Sequence, residues 1–142
     1  MLFTAAVAAL GSAFTDTSSE WYQSLVKPSL QPPAIVFPIV WTLLYIALAV
    51  SLSFSAVNPD TGKSTYLLYL INGVLNVLWT YVFFQKQNPG GAIIVLILII
   101  ITAVLLLGFV YPSNKTAGIL IIPYILWLAF ALYLNFETAF LN

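Results

Sequence analysis

The chain has 142 residues, of which 62% are hydrophobic and 6% charged, whereas a soluble domain carries about 25% charged residues. Four Lys balance four acidic residues, and Arg, His and Cys are absent. The chain therefore has no basic footprint for nucleic acid or anionic lipid, no disulfide framework or thiolate, and none of the commonest metal and haem ligands. Of the acids, Asp16, Glu20 and Asp60 sit in loop-like sequence without metal-site spacing, which argues against a metal centre.

A membrane-spanning helix needs about 20 apolar residues, because a rise of about 1.5 Å per residue must cover about 30 Å of hydrocarbon. The first block, Met1–Phe14, reaches about 21 Å as a helix and falls short. It is either the cut-down remainder of a longer helix or a short member that the bundle tolerates. A signal peptide competes, but the basic n-region is missing, and a shortened first helix is preferred. Residues 15–33 follow as a loop, in which Lys27-Pro28-Ser29-Leu30-Gln31-Pro32-Pro33 is extended, poor in donors and stiff, more lid than linker.

Ala34–Val57, Ser64–Phe84, Gly91–Tyr111 and Ala117–Leu141 each meet the length requirement, and turn-rich breaks at 58–63, 85–90 and 112–115 separate them. The expected fold is a single all-α integral membrane domain over 1–142, a bundle of five transmembrane helices with antiparallel neighbours. Lys27 and Lys86 fall on one side and Lys63 and Lys115 on the other, so the positive-inside rule gives no orientation.

Three helices carry aromatic or polar stripes at helical spacing: Phe37, Trp41, Tyr45 and Leu48; Asn72, Asn76, Trp79 and Phe83; Tyr124, Trp127, Ala131 and Asn135. These faces are expected to meet inside the bundle. An amide in hydrocarbon must bond another helix, a water or a ligand. Asn72 or Asn76 alone is more simply interhelical glue, whereas the two together beside Trp79 favour a polar-capped cavity. Trp41 and Trp127 lie roughly 10–15 Å inside their helices, deep for an interfacial belt. Trp21 and Tyr22 fit such a belt. The fourth predicted helix, Gly91–Tyr111, holds only Thr102 as a polar interior residue and is expected to face lipid or another subunit. Ala5, Ala9 and Ala13 offer a weak close-approach signal on the first helix. Pro123 is expected to free the Ile119 carbonyl and kink the last span, widening the cavity entrance. Glu137 is the sole acid inside a span and reads as an interfacial carboxylate.

The chain resembles the translocator protein family, also called tryptophan-rich sensory proteins. The resemblance rests on Gly11-Ser12, Trp21-Tyr22-x-x-Leu25-x-Lys27-Pro28, Pro32-Pro33, Val36-Phe37 with Val40-Trp41-Thr42-Leu43-Leu44-Tyr45, Asn76-x-x-Trp79 with Phe83-Phe84, Pro123-Tyr124, and Trp127-x-Ala129-Phe130 leading to Leu134-Asn135. It implies a five-helix bundle, a homodimer, and an internal pocket for hydrophobic ligands closed by the first loop. The implied ligands are tetrapyrroles such as protoporphyrin IX and drugs of the isoquinoline carboxamide type, with sterols in animal members. Carried over residue by residue, the pocket uses Trp41, Asn76, Trp79, Trp127, Ala131 and Leu134, with Tyr22 and Pro33 from the lid side. The expected location is the cell membrane of a bacterium.

Two departures bear on ligand choice. Tyr133 is followed by no basic residue through Asn142, so the animal sterol motif is incomplete. Gly91 stands where some members have a pocket tryptophan, leaving that side more open. Without His or Cys, axial ligation of haem iron is poorly served, and stacking of metal-free porphyrin on Trp faces is favoured, with no cofactor required. No nucleophile or acid–base set is visible. If porphyrin breakdown occurs in light, Trp41 and Trp127 are the residues to carry it. Ligand reception is ranked first, and carriage of porphyrin or sterol-like molecules across the membrane is the alternative; five helices without an internal repeat argue mildly against a carrier.

Overall fold

The computed structural model describes residues 2–142, and among them every regular element is helical. In chain order these are α1 (Leu2–Phe14), α2 (Glu20–Ser24), α3 (Val36–Val57), α4 (Lys63–Thr80), α5 (Pro89–Ser113), α6 (Lys115–Ile119) and α7 (Ile122–Leu141). A π-helical turn, Tyr81–Gln85, continues α4 without a break. Met1 of the first predicted block lies outside the described residues.

Four segments are long and apolar enough to cross a membrane: Val36–Val57, Lys63–Gln85, Pro89–Ser113 and Lys115–Leu141. The chain is a multi-pass integral membrane protein. The expected fifth crossing is not confirmed, because α1 has 13 residues and extends about 20 Å. It packs instead against α4 and α3. Gly73 makes the approach possible, since a Cβ there would lie 2.5 Å from the Phe3 ring and 2.9 Å from a Val7 methyl.

Caps explain where the spans begin. Asn88 accepts the Gly91 N–H at 2.9 Å with Pro89 at the first helical position, where its missing N–H costs nothing. Asn114 does the same for α6 through the Ala117 N–H at 3.0 Å. Pro112 therefore does not end α5, which runs on to Ser113, and the predicted break at 112–115 shrinks to Asn114.

The fourth predicted helix, Gly91–Tyr111, expected to face lipid or another subunit, does so on one side only. α5 is the helix against which α4, α6 and α7 all pack closely. Ala92, Leu96, Ile99, Ala103, Leu106 and Val110 are buried along one side of it, while Ile94, Leu98, Ile101, Leu105 and Phe109 are exposed on the other. The side facing protein and the side facing lipid are equally apolar, because hydrocarbon asks the same of both.

The last span, predicted as one helix over 117–141 with a kink at Pro123, is interrupted just before that proline, at Leu120–Ile121. There the Ile121 N–H donates to Gly118 O at 3.0 Å rather than one residue further back. The Ala117 carbonyl left over is taken by Ser51 Oγ of α3 at 2.7 Å. Ser51 has one proton to give, so the Tyr69 hydroxyl, 2.7 Å away, donates to it in turn. Three spans thus meet at one buried serine. Next to it Gly118 lies so close to α5 that a Cβ would fall 2.8 Å from Tyr111 Cα.

Gly118→Ala is therefore expected to cost about 1–3 kcal/mol, since backbone must shift to make room. Gly108→Ala in α5, where a Cβ would meet nothing within 4 Å, is expected to be neutral or to gain up to about 1 kcal/mol. Thermal unfolding of both variants in detergent checks the pair, and equal melting temperatures would refute the close α5–α6 approach.

Candidate functional site

The predicted site residues divide into two aromatic groups joined along α7. The first lies where α3 faces α7. Trp41 leans on Tyr45 with ring centroids 5.6 Å apart and meets Tyr124 edge-on at 6.5 Å. One turn away Phe37 meets Trp127 at 6.0 Å, and Trp127 continues to Phe130 at 5.5 Å. α3 packs most closely on α1 and α6, and α7 on α5, while these rings bridge α3 and α7.

Tyr124, fully buried, is the hub of this group. Its hydroxyl donates to Asn72 Oδ1 at 2.7 Å and accepts from Asn76 Nδ2 at 2.7 Å. Asn76 Nδ2 also donates to Asn72 O at 2.9 Å. Asn72 uses its own amide protons on Thr102 Oγ1 at 2.8 Å and Ile99 O at 3.0 Å of α5. Both amides are thus engaged within the protein, as interhelical glue requires, and they edge the seam that Trp41 lines. Tyr124 and Asn72 were absent from the predicted site list although each stood in a stripe; the signal was the one-turn spacing of two amides opposite a tyrosine.

The Trp127 Nε1 is the exception. It is buried and has no hydrogen-bond partner.

The second group lies toward the end of the bundle that carries the loop. Trp79 stacks on Phe83 at 5.2 Å and meets Phe84 edge-on at 6.3 Å, and its Nε1 donates to Asn135 Oδ1 at 2.9 Å. From the loop, Trp21 meets Phe83 at 5.8 Å and Tyr22 meets Phe84 at 5.5 Å. Trp21 and Tyr22 are thus docked on the bundle rather than spread in an interfacial belt. Ala131 and Leu134, on α7 between Trp127 and Asn135, span the distance between the two groups; Leu134 is buried and Ala131 partly so. Pro33 is exposed, and its carbonyl accepts the Val36 N–H at 2.9 Å where the chain turns into α3. Its ring is therefore at the surface, not in either aromatic group.

The loop is secured at two further points. Asn142 pairs its carboxamide with both backbone groups of Val26, at 2.9 and 3.0 Å. The Lys27 ammonium donates to the carbonyls of Tyr22 and Leu25 and sits 4.1 Å above the Tyr22 ring. Burial pushes the Lys27 pKa below its ordinary value. Burial pushes the Tyr22 phenol up, against the opposing pull of a hydrogen bond with Gln31.

A recess of about 20 Å³ lies between α1, α3 and α4, beside Phe3, Tyr45, Asn72 and Asn76; it has room for one water, whereas a drug-sized ligand fills several hundred. A second recess of about 210 Å³ opens beneath the loop, between Trp21, Leu25, Pro89 and Asn142.

The sequence model of the TspO/MBR family matches residues 1–141. The chain is 36% identical over 142 residues to the Tryptophan-rich protein TspO of Chlorobaculum tepidum, an alignment covering 96% of this chain and 89% of that protein. It is 32% identical to the Tryptophan-rich sensory protein of Cereibacter sphaeroides, covering 99% and 91%. With the human Translocator protein the identity is 33%, covering 89% and 78%.

Tyr124→Phe removes two bonds of the Asn72–Asn76–Tyr124 triangle while keeping the ring, and is expected to lower stability by about 1–3 kcal/mol. Unfolding of the detergent-solubilised variant measures this. A wild-type midpoint would mean that the triangle does not hold α4 to α7.

Proposed function

The chain belongs to the TspO/MBR family, and on that premise we propose that it is a membrane receptor for flat hydrophobic ligands, with protoporphyrin IX as the representative, bound in the seam between α3, α4 and α7. The observation that carries this reading is the buried, unpartnered Trp127 Nε1. A donor without a partner in hydrocarbon costs about 1–3 kcal/mol, and a ligand acceptor entering the seam relieves that cost. A porphyrin edge or the carbonyl of an isoquinoline carboxamide supplies such an acceptor, and Trp41, Trp79 and Trp127 supply stacking area. The rings that meet in the seam are the walls of the opened site, with Asn76, Ala131 and Leu134 lining its length and Tyr22 on the loop side.

The finer architecture belongs to the same proposal. α1, seated on α4 and α3, serves as a shortened fifth crossing. Ala5, Ala9 and Ala13 lie exposed on its outer face, which supports that face as the contact of a homodimer. In light, Trp41 and Trp127 are the side chains placed to exchange an electron with an excited porphyrin.

Titration of the detergent-purified protein with protoporphyrin IX in the dark is expected to quench tryptophan fluorescence saturably. Trp41→Phe and Trp127→Phe are each expected to weaken binding about three- to tenfold. At Trp127 little stability is lost in the free protein, since the N–H removed had no partner. Under illumination, product formation lost in both variants would add a catalytic role. Absence of saturable quenching in the wild type would end the tetrapyrrole reading.

A further inference from the structure

Trp79 is held from two sides. Its ring stacks on Phe83 at an interplanar angle of 25°, and its indole N–H is fixed by Asn135. Asn135 is itself fixed, being 3% exposed and donating through Nδ2 to Pro89 O at 2.9 Å. One carboxamide therefore ties α4, α5 and α7 together, and it does so with its acceptor turned to Trp79 and its donor to α5. Among uncharged side chains only Asn and the longer Gln can do both with a single amide.

Phe83 faces the other way as well. It belongs to the π-helical turn, where the Lys86 N–H reaches back five residues to Tyr81 O at 3.0 Å, and its edge meets Trp21 of the loop at an interplanar angle of 71°. Phe83 is buried between a ring of the candidate site and a ring of the loop. A change in the attitude of the Trp79 indole moves the platform on which Trp21 rests. π-turns inside α-helices are frequent at functional sites, because the wider turn re-aims side chains.

We infer that Asn135 is a positioning residue of the ligand site, acting through Trp79: its carboxamide sets the Trp79 indole, and through Phe83 that indole sets the seat of the loop. Loop closure and site geometry thus answer to one amide. The affinity consequence rests on the ligand reading above, whereas the consequences for the Trp79 indole and the loop do not.

The test uses the whole chain in detergent, as wild type, Asn135→Leu, Asn135→Asp, Trp79→Phe and the Asn135→Leu/Trp79→Phe double variant. Three quantities are read: the indole ¹H–¹⁵N resonance of Trp79, identified by its loss in Trp79→Phe; the mobility of a spin label at exposed residue 18, introduced as Ser18→Cys; and dark quenching by protoporphyrin IX. Asn135→Leu is expected to move the Trp79 resonance to that of an unbonded indole, to free the loop label, and to weaken quenching roughly three- to tenfold. Asn135→Asp, kept protonated by burial in hydrocarbon, offers an acceptor to Trp79 and an O–H donor to Pro89 O, and is expected to retain the resonance and binding within about twofold. In the double variant the loss should not exceed that of Trp79→Phe alone, since Asn135 acts through the indole.

An unchanged Trp79 resonance in Asn135→Leu would overturn the proposal, as would losses that add in the double variant, which is what simple interhelical glue predicts. If Asn135→Leu does not fold, Phe83→Leu decides: it removes the platform and is expected to free the loop, and an unaltered loop label would refute the coupling. A wild type that shows no quenching ends the porphyrin reading but leaves the resonance and label measurements decisive.

Discussion

Hydrocarbon offers no hydrogen bonds, so every polar group that this chain carries into the membrane has to find its partner within the chain. The interior is organised by that demand. Asn72, Asn76 and Tyr124 satisfy one another and reach Thr102 and Ile99 of α5. Ser51 and Tyr69 take up the carbonyl that the break between α6 and α7 releases. Asn135 serves Trp79 and Pro89. Apolar contact between helices cannot supply the same specificity, because lipid tails solvate Leu and Ile as well as another helix does. The few polar side chains therefore fix which helix meets which, and the apolar ones fill the space that results.

Against this background the Trp127 N–H stands out. Among the described residues it is the one buried side-chain donor left without an acceptor, and it lies where the rings of α3 and α7 meet. The seam is lined by tilted and edge-on aromatic contacts, each worth about 0.5–1.5 kcal/mol. On the proposed reading it opens at a cost that a large flat ligand offsets with its own stacking.

Most of the spans and the three interior stripes were legible in the sequence, since length and apolarity decide the former and i, i+4 spacing the latter. Trp41, Tyr45, Tyr124 and Trp127 come together as their periodicity required. What could not be read has a physical reason in each case. The orientation of α5 was hidden because both of its faces are apolar, so a stripe argument had nothing to grip. Pro123 pointed to the break at Leu120–Ile121, but the partner that takes up the Ala117 carbonyl there is a serine 66 residues away in sequence, which no local pattern reveals. Pro33 belongs to a loop whose path is set by contacts of Trp21, Tyr22 and Val26 with distant segments, not by its own prolines.

The π-helical turn has one more consequence. In an ordinary α-helix neighbouring residues point about 100° apart, yet Phe83 and Phe84, adjacent in sequence, both receive a ring from the loop. Their counterparts, Trp21 and Tyr22, are adjacent too. The loop and the bundle therefore meet as two consecutive prongs against two consecutive sockets, the larger indole on Phe83 and the phenol on Phe84. A slip of one residue would leave one prong outside and put the other in the wrong socket. The segment is in this way keyed to a single register by size and order.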